Sequence, residues 1–108
     1  MMLNGYRLMW LLLMFDLPVK TREERKTATR FRLFLLDQGF EMAQLSVYMR
    51  YCGGKNEADT YIRRIKERIP LGGKVDILNF TDKQYEQIVS FDTGSRKSRK
   101  NPAQYVLF

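Results

Sequence analysis

From Tyr6 to Phe15 the chain is apolar or aromatic at every position after Arg7, and the run stops at Asp16-Leu17-Pro18. This stretch falls well short of the roughly 20 residues that cross a bilayer. No small-residue cleavage site follows it, as a signal peptide would need. It is also too short between its flanks for a helix. An unbroken apolar run of this length fits a central strand covered on both faces, and it sets Asp16 at the carboxyl end of that strand. The 108 residues give room for one domain, and a domain of this size commonly gains stability by pairing with a copy of itself.

The rest of the pattern alternates helix with strand. Thr21 to Gln38 predicts a helix. Thr21 and Glu24 stand at capping-box spacing, and Ala28, Phe31, Phe34 and Leu35 form an apolar face, with Arg22, Arg25, Lys26 and Arg32 mostly on other faces. Gly39 ends it as a left-handed cap, with Phe40 folding back on Leu35. Met42 to Tyr51 predicts one half-exposed strand, with Ala43, Leu45, Val47, Met49 and Tyr51 on its apolar face. Asn56 to Ile69 predicts a second helix, N-capped by Asn56, with Ala58, Ile62, Ile65 and Ile69 inward. Lys74 to Thr81 and Glu86 to Phe91 read as strands joined by a short helical turn, where Thr81 and Gln84 again stand at capping-box spacing. We assign these segments to the order strand, helix, strand, strand, helix, strand. That makes an α+β, ferredoxin-like βαββαβ domain with both helices on one face of an antiparallel sheet. It occupies residues 1–92. Residues 93–108 form a basic linker, with Arg96, Lys97, Arg99 and Lys100, and an extra C-terminal strand, Gln104 to Phe108, able to pair with an edge strand of its own chain or of a dimer partner.

Charge and cysteine content narrow the chemistry. The formal net charge is +7 with no histidine and one cysteine, which points to a polyanionic partner, nucleic acid or an anionic membrane face. A lone thiol cannot form an intrachain disulfide, and with no histidine it cannot supply the four N or S ligands of structural zinc. A reducing cytoplasm suits it. Cys52, beside Gly53-Gly54, reads as a strand-end residue. Histidine-based nucleophilic catalysis is excluded, and Gly53-Gly54-Lys55 lacks the spacing of a phosphate-cradling loop.

What remains is carboxylate and magnesium chemistry, or binding alone. Asp16 is the candidate catalytic and metal-ligating residue; the ordinary reading, a strand-end aspartate capping the Leu17-Pro18 turn, stands beside it. One carboxylate is a poor magnesium site, so the hydrolase reading requires a two-fold dimer that brings a second Asp16 to the same ion. Arg7, Lys20, Arg22, Arg25, Lys26 and Arg30 are the candidate phosphate contacts, against the plainer reading of a solvated helix face. Tyr48 and Tyr51 are open to base stacking or to packing, and the absence of an RNA-recognition aromatic signature favours packing.

At these residues the chain resembles a known family. Leu11 to Pro18, Glu23-Glu24-Arg25-Lys26, Phe31 to Leu36 and Gln38-Gly39-Phe40 are similar to the first strand and helix of the small CRISPR-associated adaptation proteins, Cas family two. Gln44 to Tyr48 resembles their second strand and Thr81 to Tyr85 the turn before their fourth; the likeness is nearest the type II branch. The resemblance implies a ferredoxin-like homodimer whose C-terminal strand packs on the partner's sheet, and a magnesium site at Asp16. It implies metal-dependent nuclease activity on RNA or DNA, and a bridge between CRISPR integrase dimers that holds a prespacer duplex during spacer acquisition. Many members carry tyrosine before the aspartate; Phe15 stands there here, so that hydroxyl is absent. The alternative is an RNA-binding ferredoxin-like module without catalysis.

Overall fold

The computed structural model describes residues 8–94. Seven elements follow one another: β1 (Met9–Asp16), α1 (Arg22–Asp37), β2 (Glu41–Gln44), β3 (Val47–Cys52), α2 (Lys55–Lys66), β4 (Lys74–Thr81) and α3 (Asp82–Glu86). The sheet order is β2-β3-β1-β4, and all three strand pairings are antiparallel. This is the ferredoxin-like arrangement, with β1 central as its apolar run requires.

The four strands are not the four expected from the pattern. The assigned order, with two strands between the helices, is the one the structure has; the segments behind it supplied only one strand there, 42–51, and a second after α2, 86–91. Residues 42–51 fold back as a hairpin, with Leu45 and Ser46 in the turn and Ser46 at φ 62. Glu86–Phe91 is not a strand: α3 takes up Asp82–Glu86, and residues 88–91 follow in irregular conformation, with Ile88, Val89 and Phe91 exposed. The extra strand Gln104–Phe108, the basic linker and Arg7 lie outside the described residues.

Local chemistry sets the boundaries. Thr21 caps α1 through a complete capping box with Glu24. At the other end Phe40 N–H donates to the Leu35 carbonyl and Gly39 N–H to that of Leu36, with Gly39 at φ 91. This is a Schellman ending, which needs a left-handed residue where Gly39 stands. Helix α2 begins one residue before the expected cap: Gly54, not Asn56, is its N-cap and offers no side chain. Glu57 compensates by accepting from Gly53 N–H at 2.7 Å. The second capping box, Thr81 with Gln84, is present as predicted.

One face of the sheet carries the core. Leu11, Leu13, Phe15 and Tyr48 pack against Ala28, Phe31 and Leu35 of α1 and Ala58 and Ile65 of α2. The other face is left open by the described residues. Cross-strand register lays it out in rows: Tyr51, Trp10 and Phe80; then Met49, Leu12 and Leu78; then Val47, Met14 and Asp76; then Asp16 and Lys74 at the tip. Met14, Tyr51 and Leu78 are 43%, 42% and 51% exposed. The run that predicted cover on both faces of β1 thus finds it on one face only.

Candidate nucleic-acid and metal site at the tip of β1

Asp16 is the last residue of β1, and strand alternation turns it to the bare face with Trp10, Leu12 and Met14. It is exposed, and its carboxylate makes no hydrogen bond or ion pair with any described residue. Lys74, opposite it in the ladder, pairs instead with Asp76 at 3.6 Å. Among the described residues no three Cys, His, Asp or Glu side chains gather to hold a metal. A free, solvated carboxylate on a rigid strand end fits one protein ligand of a magnesium ion, which takes few carboxylates beside water and phosphate.

The tip is held from two sides. Phe15 N–H donates to the Ser46 carbonyl at 3.1 Å, and Arg32 Nη2 donates to Ser46 Oγ at 3.0 Å. The same guanidinium lies over the Phe15 ring, 5.2 Å from its centre. On the other side the α2–β4 loop passes so close that a Cβ on Gly73 would sit 2.6 Å from Leu17 Cδ2.

The predicted phosphate contacts divide. Arg22, Lys26 and Arg30 are exposed and fall at i, i+4 and i+8 of α1, one stripe about 12 Å long. Lys20 is exposed beside the helix start. Arg25 differs: its Nη1 donates to the carbonyls of Val19 at 3.2 Å and Lys20 at 3.0 Å, holding the β1–α1 loop. All twelve acids lie within residues 8–94 with fourteen of the nineteen cations, so the described part carries only +2 and Arg7 with residues 96–100 carries the other +5.

Tyr48 is fully buried against Phe15, which removes it from base stacking. The alternation in 42–51 set it on the polar face, opposite Val47, Met49 and Tyr51, and it does lie opposite them, but its face, shared with Cys52, is the one the helices cover. Burial pushes its phenol above the ordinary value, with the Arg32 charge partly opposing. Tyr51 packs edge-on against Trp10. Cys52 is wholly buried, and burial raises its thiol, as an inert strand-end residue requires.

Three residues passed over in the sequence matter here: Arg32, Ser46 and Arg50. Arg50 Nε donates to the Gln38 carbonyl at 2.8 Å and Nη2 to Tyr61 Oη at 2.8 Å, and its guanidinium stacks on the Tyr61 ring at 4.1 Å. Each looks like a surface residue by type. The sequence carries no turn residue at Ser46 and no local pattern that marks the partners of either arginine.

Comparison with known proteins agrees with this geometry. The family model described as "CRISPR associated protein Cas2" matches residues 9–88. A "CRISPR-associated endoribonuclease Cas2" of Paracidovorax avenae is 55% identical, with 99% of this chain and 100% of the relative covered. The protein of that name from Flavobacterium psychrophilum is 45% identical, over 96% of this chain and 90% of the relative. A Cas2 crystal structure matches with a TM-score of 0.57 at 20% identity, covering 84% of this chain and 95% of that one. The Streptococcus pyogenes Cas2 structure at pH 6.5 gives 0.57 at 15% identity, covering 77% and 99%. At such identities the structural matches speak for the fold alone. The family match and the near full-length relatives settle the affiliation: the chain belongs to the Cas2 family of CRISPR-associated proteins.

Proposed function

We propose that this chain is a magnesium-dependent phosphodiesterase, an endoribonuclease with duplex DNA as a further substrate. It works in the cytoplasm as a homodimer that also binds prespacer duplex beside the CRISPR integrase. The observation that carries this reading is the free Asp16 carboxylate at the edge of an uncovered apolar sheet face. Bare Leu12, Met14, Met49 and Leu78 side chains favour closure by a second copy. A two-fold axis through the aspartate end of that face would bring two Asp16 carboxylates to one ion. Bound there, magnesium supplies charge to polarise a phosphodiester and lowers the pKa of its water. The chain's own part is to hold the carboxylate in place and, through Lys20, Arg22, Lys26 and Arg30, to grip phosphates without regard to sequence. Arg7 belongs to this set by sequence, whereas Arg25 serves its loop. The names of the relatives, endoribonucleases of CRISPR systems, support the RNA arm.

The test incubates the purified full chain with labelled RNA and duplex DNA, with magnesium or with chelator. Asp16→Ala and chelator should each lower cleavage by about 100-fold or more. Cleavage that survives Asp16→Ala defeats the catalytic reading. Duplex affinity should fall steeply with salt, and replacing Arg22, Lys26 and Arg30 by alanine should reduce that slope by about three. Salt-independent binding defeats the nucleic-acid reading.

A further inference from the structure

Ser46 is a non-glycine residue at φ 62, a conformation that costs free energy unless its surroundings return something for it. Its two oxygens are both occupied. The carbonyl accepts from Phe15 N–H, one residue before Asp16, and Oγ accepts from Arg32 Nη2. Arg32 reaches across from α1 and lies on the Phe15 ring. Three separate elements, the β2–β3 turn, α1 and β1, therefore converge on the residue preceding Asp16. β3 ends its pairing with β1 at Val47 opposite Met14, so on that side the Ser46 carbonyl carries the ladder on toward the tip, while on the other side β4 pairs with β1 as far as Asp16. Arg32 itself stands on the helix side of the sheet with Phe15, whereas Asp16 turns to the bare side. Its action on the carboxylate is through the backbone.

We propose that Arg32 and Ser46 are positioning residues, a brace that fixes the direction in which Asp16 leaves the sheet. The inference rests on the reading of Asp16 as a metal ligand for its consequence, though not for the brace itself. The guanidinium holds the Ser46 hydroxyl, the held turn presents its carbonyl to Phe15 N–H, and the pinned Phe15 backbone sets the following Cα–Cβ vector. A carboxylate that must meet an ion shared with another copy gains from such fixing, because a tilt of the strand end is doubled across a two-fold axis.

Two variants cut the brace in different ways. Arg32→Met keeps the ring contact and the turn but removes the donor. Ser46→Gly removes the acceptor while relieving the left-handed strain, so its melting temperature should not fall. Ser46→Asn, which tolerates that conformation and offers a side-chain carbonyl, should restore the wild-type behaviour. The readouts, on the full chain, are hydrogen exchange of the Phe15 amide and the midpoint of the magnesium-induced shift of the Asp16 carboxylate carbon by NMR. Arg32→Met and Ser46→Gly should each speed exchange by about tenfold and weaken the magnesium midpoint by about three- to tenfold, and the double variant should be no worse than either single one. Unchanged exchange in Arg32→Met, or additive losses in the double variant, overturns the brace. If the wild-type Asp16 signal ignores magnesium, the metal reading falls, and Phe15 exchange still decides the brace.

Discussion

Tyr48 illustrates how a single side chain records a compromise in this fold. Its ring fills the core, fully shielded, but its hydroxyl has no protein hydrogen-bond partner among the described residues. A buried hydroxyl left unpaired loses its hydration without return. Tyr48→Phe is therefore expected to leave stability unchanged or raise it by up to about 1 kcal/mol in urea unfolding. The pH dependence follows from the same burial. The folded state holds the phenolic proton above the ordinary 10.0 at which the unfolded chain releases it. Stability from this group is then complete below that value and is lost as pH rises through the higher folded value. Tyr48→Phe should flatten the alkaline loss of stability measured by unfolding above about pH 10; an unchanged slope would assign that loss elsewhere.

At the scale of elements, the end of α1 depends on one close approach. Gly39 sits at φ 91, and a Cβ there would lie 3.0 Å from Arg50 Nε. Arg50 in turn ties that turn to α2 through the Gln38 carbonyl and Tyr61. Gly39→Ala should cost about 1–3 kcal/mol, from left-handed strain together with displacement of the guanidinium. Gly39→Asn separates the two causes, since asparagine accepts the backbone angle but still meets Arg50. Full stability of Gly39→Asn in chemical denaturation would show that backbone angle alone matters. At the far end of the sheet, α3 works differently. It stacks Tyr85 on Trp10 with ring centres 4.0 Å apart, and Trp10 Nε1 donates to Asp82 Oδ1 at 2.9 Å. That cap covers Trp10 and Phe80 and leaves Tyr51 and the aliphatic rows near Asp16 partly exposed.

At the scale of the whole molecule, the decisive feature is a sheet that the described helices dress on one side. Helices α1 and α2 cover Leu11, Leu13 and Phe15; Leu12, Met14 and Leu78 on the reverse stay partly exposed. A chain this small has little spare stability from a single core, and covering the reverse face would add to it. Among the described residues β4 also ends the sheet with no strand on its outer edge, next to a chain that leaves α3 with exposed Ile88, Val89 and Phe91. Both features suit closure by a second copy. Leu12→Glu, at the centre of the bare face, should leave the circular-dichroism spectrum intact and give a monomer by analytical ultracentrifugation. A dimer that persists in Leu12→Glu would move the interface elsewhere.

The sequence by itself determined the helices, both capping boxes, the glycine ending of α1, the central strand and the carboxylate at its tip. Each of these rests on interactions within a few residues, or on a periodicity that a short window contains. It also carried the family resemblance, which the comparisons bore out. It mistook residues 42–51 for one strand, because a turn made by Ser46 in a left-handed conformation has no glycine or proline to mark it; it mistook 86–91 for another, because Ile88, Val89 and Phe91 have a strand's composition but pair with no strand among the described residues. The tertiary structure alone decided that Tyr48 points inward, that Arg32 and Arg50 serve the fold, and that Asp16 shares a face with partly exposed apolar rows. Those outcomes depend on which distant segment arrives to accept a proton or cover a ring, and local pattern holds no record of that arrival.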